Sequence, residues 1–284
     1  MFKKEKFSYS RVGCFTDCPL KYKYRYVNKI KASGVESTLA NKGLVFHEMA
    51  ETWKVGNTKE WCLNEIKKLC VKHNVDFDEW PYEESVGRWL CLQETFIQPK
   101  INEGFKEFHE LWINGTVAQQ SFCGAIDNIL IGDDKIYIID YKTGKSTSTS
   151  GYRKQLMLYA WFKGKEHFKS TEDLADKVEL WVFFPLGEVA KTKYKTIEEK
   201  TGAAFVQVLY SQEELEENFR SFDEKVKDII SKDFDKVRTV DAKTSYGCQW
   251  CDYRGSIAVP GLFEGCPKSY EEGLRQSRST KFSN

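Results

Sequence analysis

Apolar residues recur at helical spacing through the early part of the chain, and the period shortens to two near Trp112. Leu44-Val45-Phe46, Met49-Ala50 and Trp53 predict a helix ending near Gly56. Further helices fit Lys59 to Lys72 and Tyr82 to Leu111, the last with a break at Pro99. Ahead of them, Ser10 is a candidate helix cap, and Pro19 suits the first turn of a second short helix. The run from Trp112 to Tyr141 predicts successive strands, with hairpin turns at Asn114-Gly115 and Gly132-Asp133-Asp134. A polar loop, Lys145 to Gly151, precedes a helix containing Gln155-Leu156-Met157-Leu158-Tyr159-Ala160-Trp161, and strands are expected again at Val178 to Phe184 and Ala203 to Leu209. Ser211-Gln212-Glu213-Glu214 has the form of a capping box, followed by Leu215, Phe219, Phe222, Val226 and Ile229 at helical spacing. Helices, then a sheet, then a helix and more strands predict an α/β (α+β) fold, a central mixed sheet flanked by helices. The expected organisation is an N-terminal helical region over 1–111, a core over 112–232 and a C-terminal cysteine-containing segment over 233–284, all within one compact domain.

Composition adds exclusions. A hydrophobic share of 41% supplies ample core and rules out a disordered or low-complexity chain. No apolar run is long enough for a membrane span, and Met1 to Lys6 leads into Phe7-Ser8-Tyr9-Ser10 rather than a signal core, so a cytoplasmic location without membrane contact is expected. The net charge of +1 conceals segregation: residues 1–31 carry a net of +7, residues 142–169 a net of +6, and residues 48–110 a net of −5. Lys21, Lys23, Arg25, Arg153 and Lys154, within the two basic segments, are candidate phosphate contacts.

The candidate chemistry lies between Gly124 and Lys142. On a strand Ile138-Ile139-Asp140-Tyr141-Lys142, period two puts Asp140 and Lys142 on one face and Tyr141 on the other. Walking back from the Gly132 to Asp134 turn brings Asp127 level with Asp140, so the two carboxylates can converge on a hard cation such as Mg²⁺ or Mn²⁺. A neighbouring lysine could activate or orient water there, and the cation could neutralise charge on a phosphate. His47 and Glu51 share a helix face, and either could add a ligand. Gln155 and Tyr159, also four apart, could hold a nucleic-acid backbone or orient Lys142. Two decoys fall away. Gly144-Lys145-Ser146 lacks the earlier glycine of a phosphate-binding loop, and a turn accounts for Asn114-Gly115-Thr116.

With Gly43-Leu44-Val45-Phe46-His47-Glu48, Gly124-Ala125-Ile126-Asp127, Ile139-Asp140-Tyr141-Lys142-Thr143-Gly144-Lys145 and Gln155-Leu156-Met157-Leu158-Tyr159 in that order, the sequence resembles the PD-(D/E)XK nuclease superfamily, and within it the RecB-like branch. The resemblance implies a restriction-endonuclease-like core, with His47, Asp127 and Asp140 as metal ligands, Lys142 as the catalytic lysine, and Gln155 and Tyr159 as substrate-supporting residues. It also implies a [4Fe–4S] cluster on Cys18, Cys248, Cys251 and Cys266, although the 14-residue gap before Cys266 is longer than usual and Cys14 is a rival first ligand. Zinc is the alternative for these thiolates. Cys62, Cys70, Cys91 and Cys123 read as buried apolar residues. The expected activity is a metal-dependent DNA exonuclease acting from DNA ends in phage or bacterial recombination or repair. The alternatives are a processing nuclease of CRISPR spacer acquisition and a non-catalytic nucleic-acid-binding scaffold.

Overall fold

The computed structural model describes residues 5–30, 38–144, 148–187, 204–237, 251 and 253. The helices are α1 (Tyr9–Asp17), α2 (Pro19–Tyr22), α3 (Thr38–Thr52), α4 (Lys59–His73), α5 (Tyr82–Leu92), α6 (Gln98–Asn102), α7 (Ser150–Phe168), α8 (Leu174–Lys177) and α9 (Gln212–Ser231). The principal strands are β1 (Lys106–Val117), β2 (Gln120–Ile131), β3 (Ile136–Tyr141), β4 (Val178–Phe184) and β5 (Ala204–Val208). The chain divides into two compact units: Met1–Glu36 with Val117–Gln120 and Phe222–Asn284, and Ser37–Thr116 with Ser121–Ser221.

The larger unit holds the mixed sheet. β1 pairs with β2, β2 runs antiparallel to β3, β3 parallel to β4, and β4 antiparallel to β5. A parallel neighbour requires a crossover, and α7 with α8 supplies it between β3 and β4. β3 is buried along its whole length because helices cover both of its faces. Tyr137, Ile139 and Tyr141 pack against α3, α4 and α5 in one core with Phe46, Met49, Trp89, Trp181 and Phe183. The alternate residues, ending in Asp140, face the other way. Among the described residues, no helix is long and apolar enough to cross a membrane.

In the smaller unit the N- and C-terminal segments meet. Tyr22 stacks on Phe234 with ring centres 5.3 Å apart, Lys23 Nζ donates to the Val237 carbonyl at 2.9 Å, and the Tyr253 hydroxyl donates to the Ile30 carbonyl at 2.8 Å. Arg11 donates to the Tyr22 hydroxyl and pairs with Glu5.

Three sequence expectations shift. Ser8, not Ser10, caps α1, accepting from the Arg11 N–H. The helical stretch from Tyr82 does not reach Leu111. It passes through a π-turn at Gln93–Ile97, which accommodates Pro99, and ends at Asn102, where Gly104 with φ +101° stops it and β1 begins. Phe105, which precedes β1, and Phe108, within it, continue the i, i+3/i+4 spacing of Ile97 and Ile101 only by coincidence. Asn114-Gly115 is strand interior, its glycine lying against the Phe162 ring. The hairpin turns instead at Ala118-Gln119, both at positive φ, where the Ala118 N–H is held by the Asp223 carboxylate at 2.6 Å. The expected Ser211–Glu214 capping box is present in both directions, Glu214 N to Ser211 Oγ at 3.2 Å and Ser211 N to Glu214 Oε2 at 2.9 Å.

Candidate nuclease site

The β2–β3 register pairs Asn128 with Ile139, and its next step sets Asp127 opposite Asp140. Asp127 is held from two sides: its Oδ2 accepts the Tyr141 N–H at 2.7 Å, and its Oδ1 lies 3.5 Å from His47 Nδ1. α3 delivers His47 because Val45, Phe46, Met49 and Ala50 bury the opposite side of that helix. Glu48, beside His47 in the sequence, instead binds α3 to α4 through Lys72 at 2.7 Å and His73 at 2.9 Å.

Lys142 Nζ stands 2.6 Å from Asp140 Oδ2, a charge contact outside hydrogen-bond geometry, and 4.8 Å from the centre of the Tyr152 ring. Burial and then the charge of Asp127 push the Asp140 carboxyl up to about 6, despite Lys142. Burial opposes the Lys142 ammonium too, but Asp140 and Asp127 outweigh it and hold its pKa above the ordinary value, so the amine stays charged. Burial likewise works against charge on Asp127 and His47. The bond between them reverses both outcomes, lowering the acid and raising the base.

Glu110 on β1 completes a group with His47 and Asp127 whose ligand atoms all lie within 4.8 Å of one another. Burial, then Asp127, raises the Glu110 pKa, which marks a carboxylate pressed toward like charge. Two carboxylate oxygens and an imidazole nitrogen suit a divalent cation of the Mg²⁺ or Mn²⁺ type, whose charge would relieve that repulsion. The donor set therefore fits such an ion.

A strand Asp opposite a strand Asp-x-Lys, joined by a helix histidine, is the arrangement to set beside known proteins. The profile of the PD-(D/E)XK nuclease superfamily matches residues 6–256. The chain belongs to the PD-(D/E)XK nuclease superfamily. No curated protein matches the sequence. Among solved structures, a protein described as "Putative exonuclease" from Eubacterium rectale is 12% identical over 90% of either chain with a TM-score of 0.51, a likeness of fold. The crystal structure of SSO0001 is 12% identical over 92% of this chain and 88% of that one, with a TM-score of 0.36.

The other sequence candidates of this PD-(D/E)XK chain fall in varied places. Gln155 Nε2 donates to the Tyr159 hydroxyl at 2.6 Å. Tyr159 lies so close to β2 that a Cβ on Gly124 would meet its ring at 2.7 Å, and burial raises its phenol to about 12. Glu51 is exposed and outside the His47 group. Arg153 is engaged with Glu214 at 2.7 Å and the Leu209 carbonyl, whereas Lys154 and Arg25 are exposed. Lys21 is partly exposed, and Lys23 is tied to Val237. Cys18 caps α2 and is partly exposed, as is Cys251, while Cys248 and Cys266 lie outside the described residues. Cys14 is buried, its thiol pushed up to about 11 by that burial. Cys62 and Cys70 are buried as expected, but Cys91 and Cys123 are only partly so.

Glu110 escaped sequence reading. It falls in a stretch whose spacing imitates a helix, and its φ of +46° has no local signature. Beside it, Asn128 Nδ2 donates to Glu107 Oε1 at 2.6 Å, joining β2 to β1, and His109 Nε2 of β1 lies 3.2 Å from the same oxygen. The run Glu107 to Trp112 carries no strict polar–apolar alternation that would have marked it as a strand.

Proposed function

We propose that this chain is a Mg²⁺- or Mn²⁺-dependent deoxyribonuclease of the RecB-like branch, hydrolysing phosphodiester bonds from DNA ends in phage or bacterial recombination or repair. The observation that carries the reading is the convergence of His47, Glu110 and Asp127 beside the Asp140–Lys142 pair. His47, Glu110 and Asp127 would hold the cation, and Asp140, level with Asp127 across the hairpin, completes the acidic set. When bound, the ion would supply positive charge against the scissile phosphate and acidify water for attack. Lys142 Nζ stands 2.6 Å from Asp140 Oδ2, within reach of the same phosphate. It can orient water or neutralise charge on the phosphate. Gln155 and Tyr159, bonded to each other, form a polar edge for the nucleic-acid backbone.

The test is degradation of end-labelled linear DNA with Mg²⁺ or Mn²⁺ by the wild type, Asp140→Ala and Lys142→Ala, with loss of about 10²-fold or more in the variants expected. Equal degradation by all three sinks the site assignment. A circular substrate separates attack at ends from internal cleavage.

The reading extends to an iron–sulfur cluster on Cys18, Cys248, Cys251 and Cys266. Its support is that the ring of Tyr253, two residues after Cys251, lies 5.7 Å from that of Tyr24, six residues after Cys18. Anaerobically purified protein should be brown and contain iron, and Cys251→Ala should be pale. A colourless, iron-free wild type rejects the cluster.

A further inference from the structure

Two large aromatic side chains flanking Glu110 in the sequence stand in solvent. Phe108 is 40% exposed and Trp112 is 68% exposed, and both lie on β1. Glu110 lies two residues from each along the same strand, at a φ of +46° that kinks the strand between them. Lys106, exposed, precedes them at the same interval, and Asn114 and Thr116, also exposed, follow. The residues between, Glu107, His109 and Ile113, are partly or fully buried. On α3, one turn before His47, Leu44 is a third exposed apolar side chain, at 44%.

Exposed aromatic rings normally cost solubility, and a pair bracketing a charged site calls for an occupant with apolar faces. A nucleobase has such a face, and its phosphate has the charge that a site for divalent cations attracts. In a duplex the base faces are covered by their neighbours, so rings on either side of the reacting phosphate can be used only by bases that have left the stack. A peptide partner would satisfy the rings but not the carboxylates between them.

We propose that Phe108 and Trp112 form a stacking platform that holds single-stranded DNA, one base on each side of the phosphate presented to the His47, Glu110 and Asp127 group. This rests on the nuclease reading above and specifies its substrate as an unpaired strand. A duplex end must fray onto β1 before cleavage. Trp112 and Phe108 are then binding residues that set strand preference, with the chemistry left to Asp140 and Lys142.

The experiment compares binding, in EDTA so that no strand is cut, of fluorescently labelled oligo(dT) of about 15 nucleotides with an abasic strand of the same length. The wild type should prefer oligo(dT) by about 100-fold, since stacking contributes about tenfold for each base. Trp112→Ala and Phe108→Ala should each lose about tenfold in oligo(dT) affinity without changing abasic binding, the double variant should bind both strands equally, and Trp112→Phe should retain most of the preference. Unchanged melting temperatures confirm folding, which surface substitutions should preserve. A wild type indifferent to bases, or a double variant that keeps the preference, overturns the platform and leaves the rings to a protein partner. Because the readout needs no turnover, absence of cleavage with Mg²⁺ or Mn²⁺ would instead fault the nuclease reading alone.

Discussion

The backbone N–H of Tyr141 donates to Asp127 at 2.7 Å, while its ring, on the other face of β3, lies 5.9 Å from the ring of His47 and 6.1 Å from that of Phe46. One residue thus aims a carboxylate with its main chain and seats the histidine helix with its side chain. Tyr141→Phe keeps both contacts and should retain near-normal activity. Tyr141→Ala opens a cavity in the core, should cost about 3–5 kcal/mol in chemical denaturation and should lose activity even where folded. Equal activity of the two variants at a temperature where both are folded would refute the coupling.

Asp140 predicts a stability–function conflict. Its folded pKa is raised above the ordinary 3.8 to about 6, so the folded state binds the extra proton between those values. Its stabilising effect is complete below about pH 4, where the carboxyl is neutral in both states, and is lost as pH rises through 6. Asp140→Asn should therefore leave the metal-free protein unchanged near pH 4 and stabilise it by about 1–3 kcal/mol at pH 8. Denaturant titrations at the two pH values decide it, and a destabilised variant at pH 8 contradicts the assigned cause.

Divalent cations should reverse that penalty in the wild type. A ligand that binds only the folded state raises stability by about 2.7 kcal/mol at a hundredfold excess over Kd. Mn²⁺ should raise the melting temperature of the wild type, and Glu110→Gln or His47→Ala should need at least tenfold more Mn²⁺ for the same shift. Calorimetric affinities unchanged in both variants would remove Glu110 and His47 from the ligand set.

Gly124→Ala tests the seat of Tyr159. The added methyl would lie 2.7 Å from the ring, so ring or strand must move. Because the ring partners Gln155, the variant should fold but lose DNA affinity and turnover, as Tyr159→Ala should. An active Gly124→Ala protein would show that the Gln155–Tyr159 edge is dispensable.

Ser211→Ala removes one half of the α9 capping box and should cost about 1 kcal/mol without altering cleavage. The midpoint of urea unfolding measures it, and an unchanged midpoint would mean that Glu214, bonded to Arg153 as well, suffices.

Much of the candidate site's geometry was legible because its parts are local. Asp140 and Lys142 share a face by strand period, the Gly132 to Asp134 turn sets Asp127 level with Asp140, and the capping box reads directly from four residues. What misled was the spacing beyond the helix end: Phe105 and Phe108 extend a helical pattern past Gly104, where the helix stops, and Asn114-Gly115 carries the commonest turn signal inside a strand.

The sequence alone therefore determined the Asp127, Asp140 and Lys142 arrangement and the face of α3 that carries His47, since periods of 2 and 3.6 act over a few residues. Only the tertiary structure brought Glu110 to them and left Phe108 and Trp112 in the open beside it. Pairing of β1 with β2 depends on a turn at Ala118-Gln119 whose positive φ angles are supported by Asp223, more than a hundred residues away. Local propensity carries no record of such a contact.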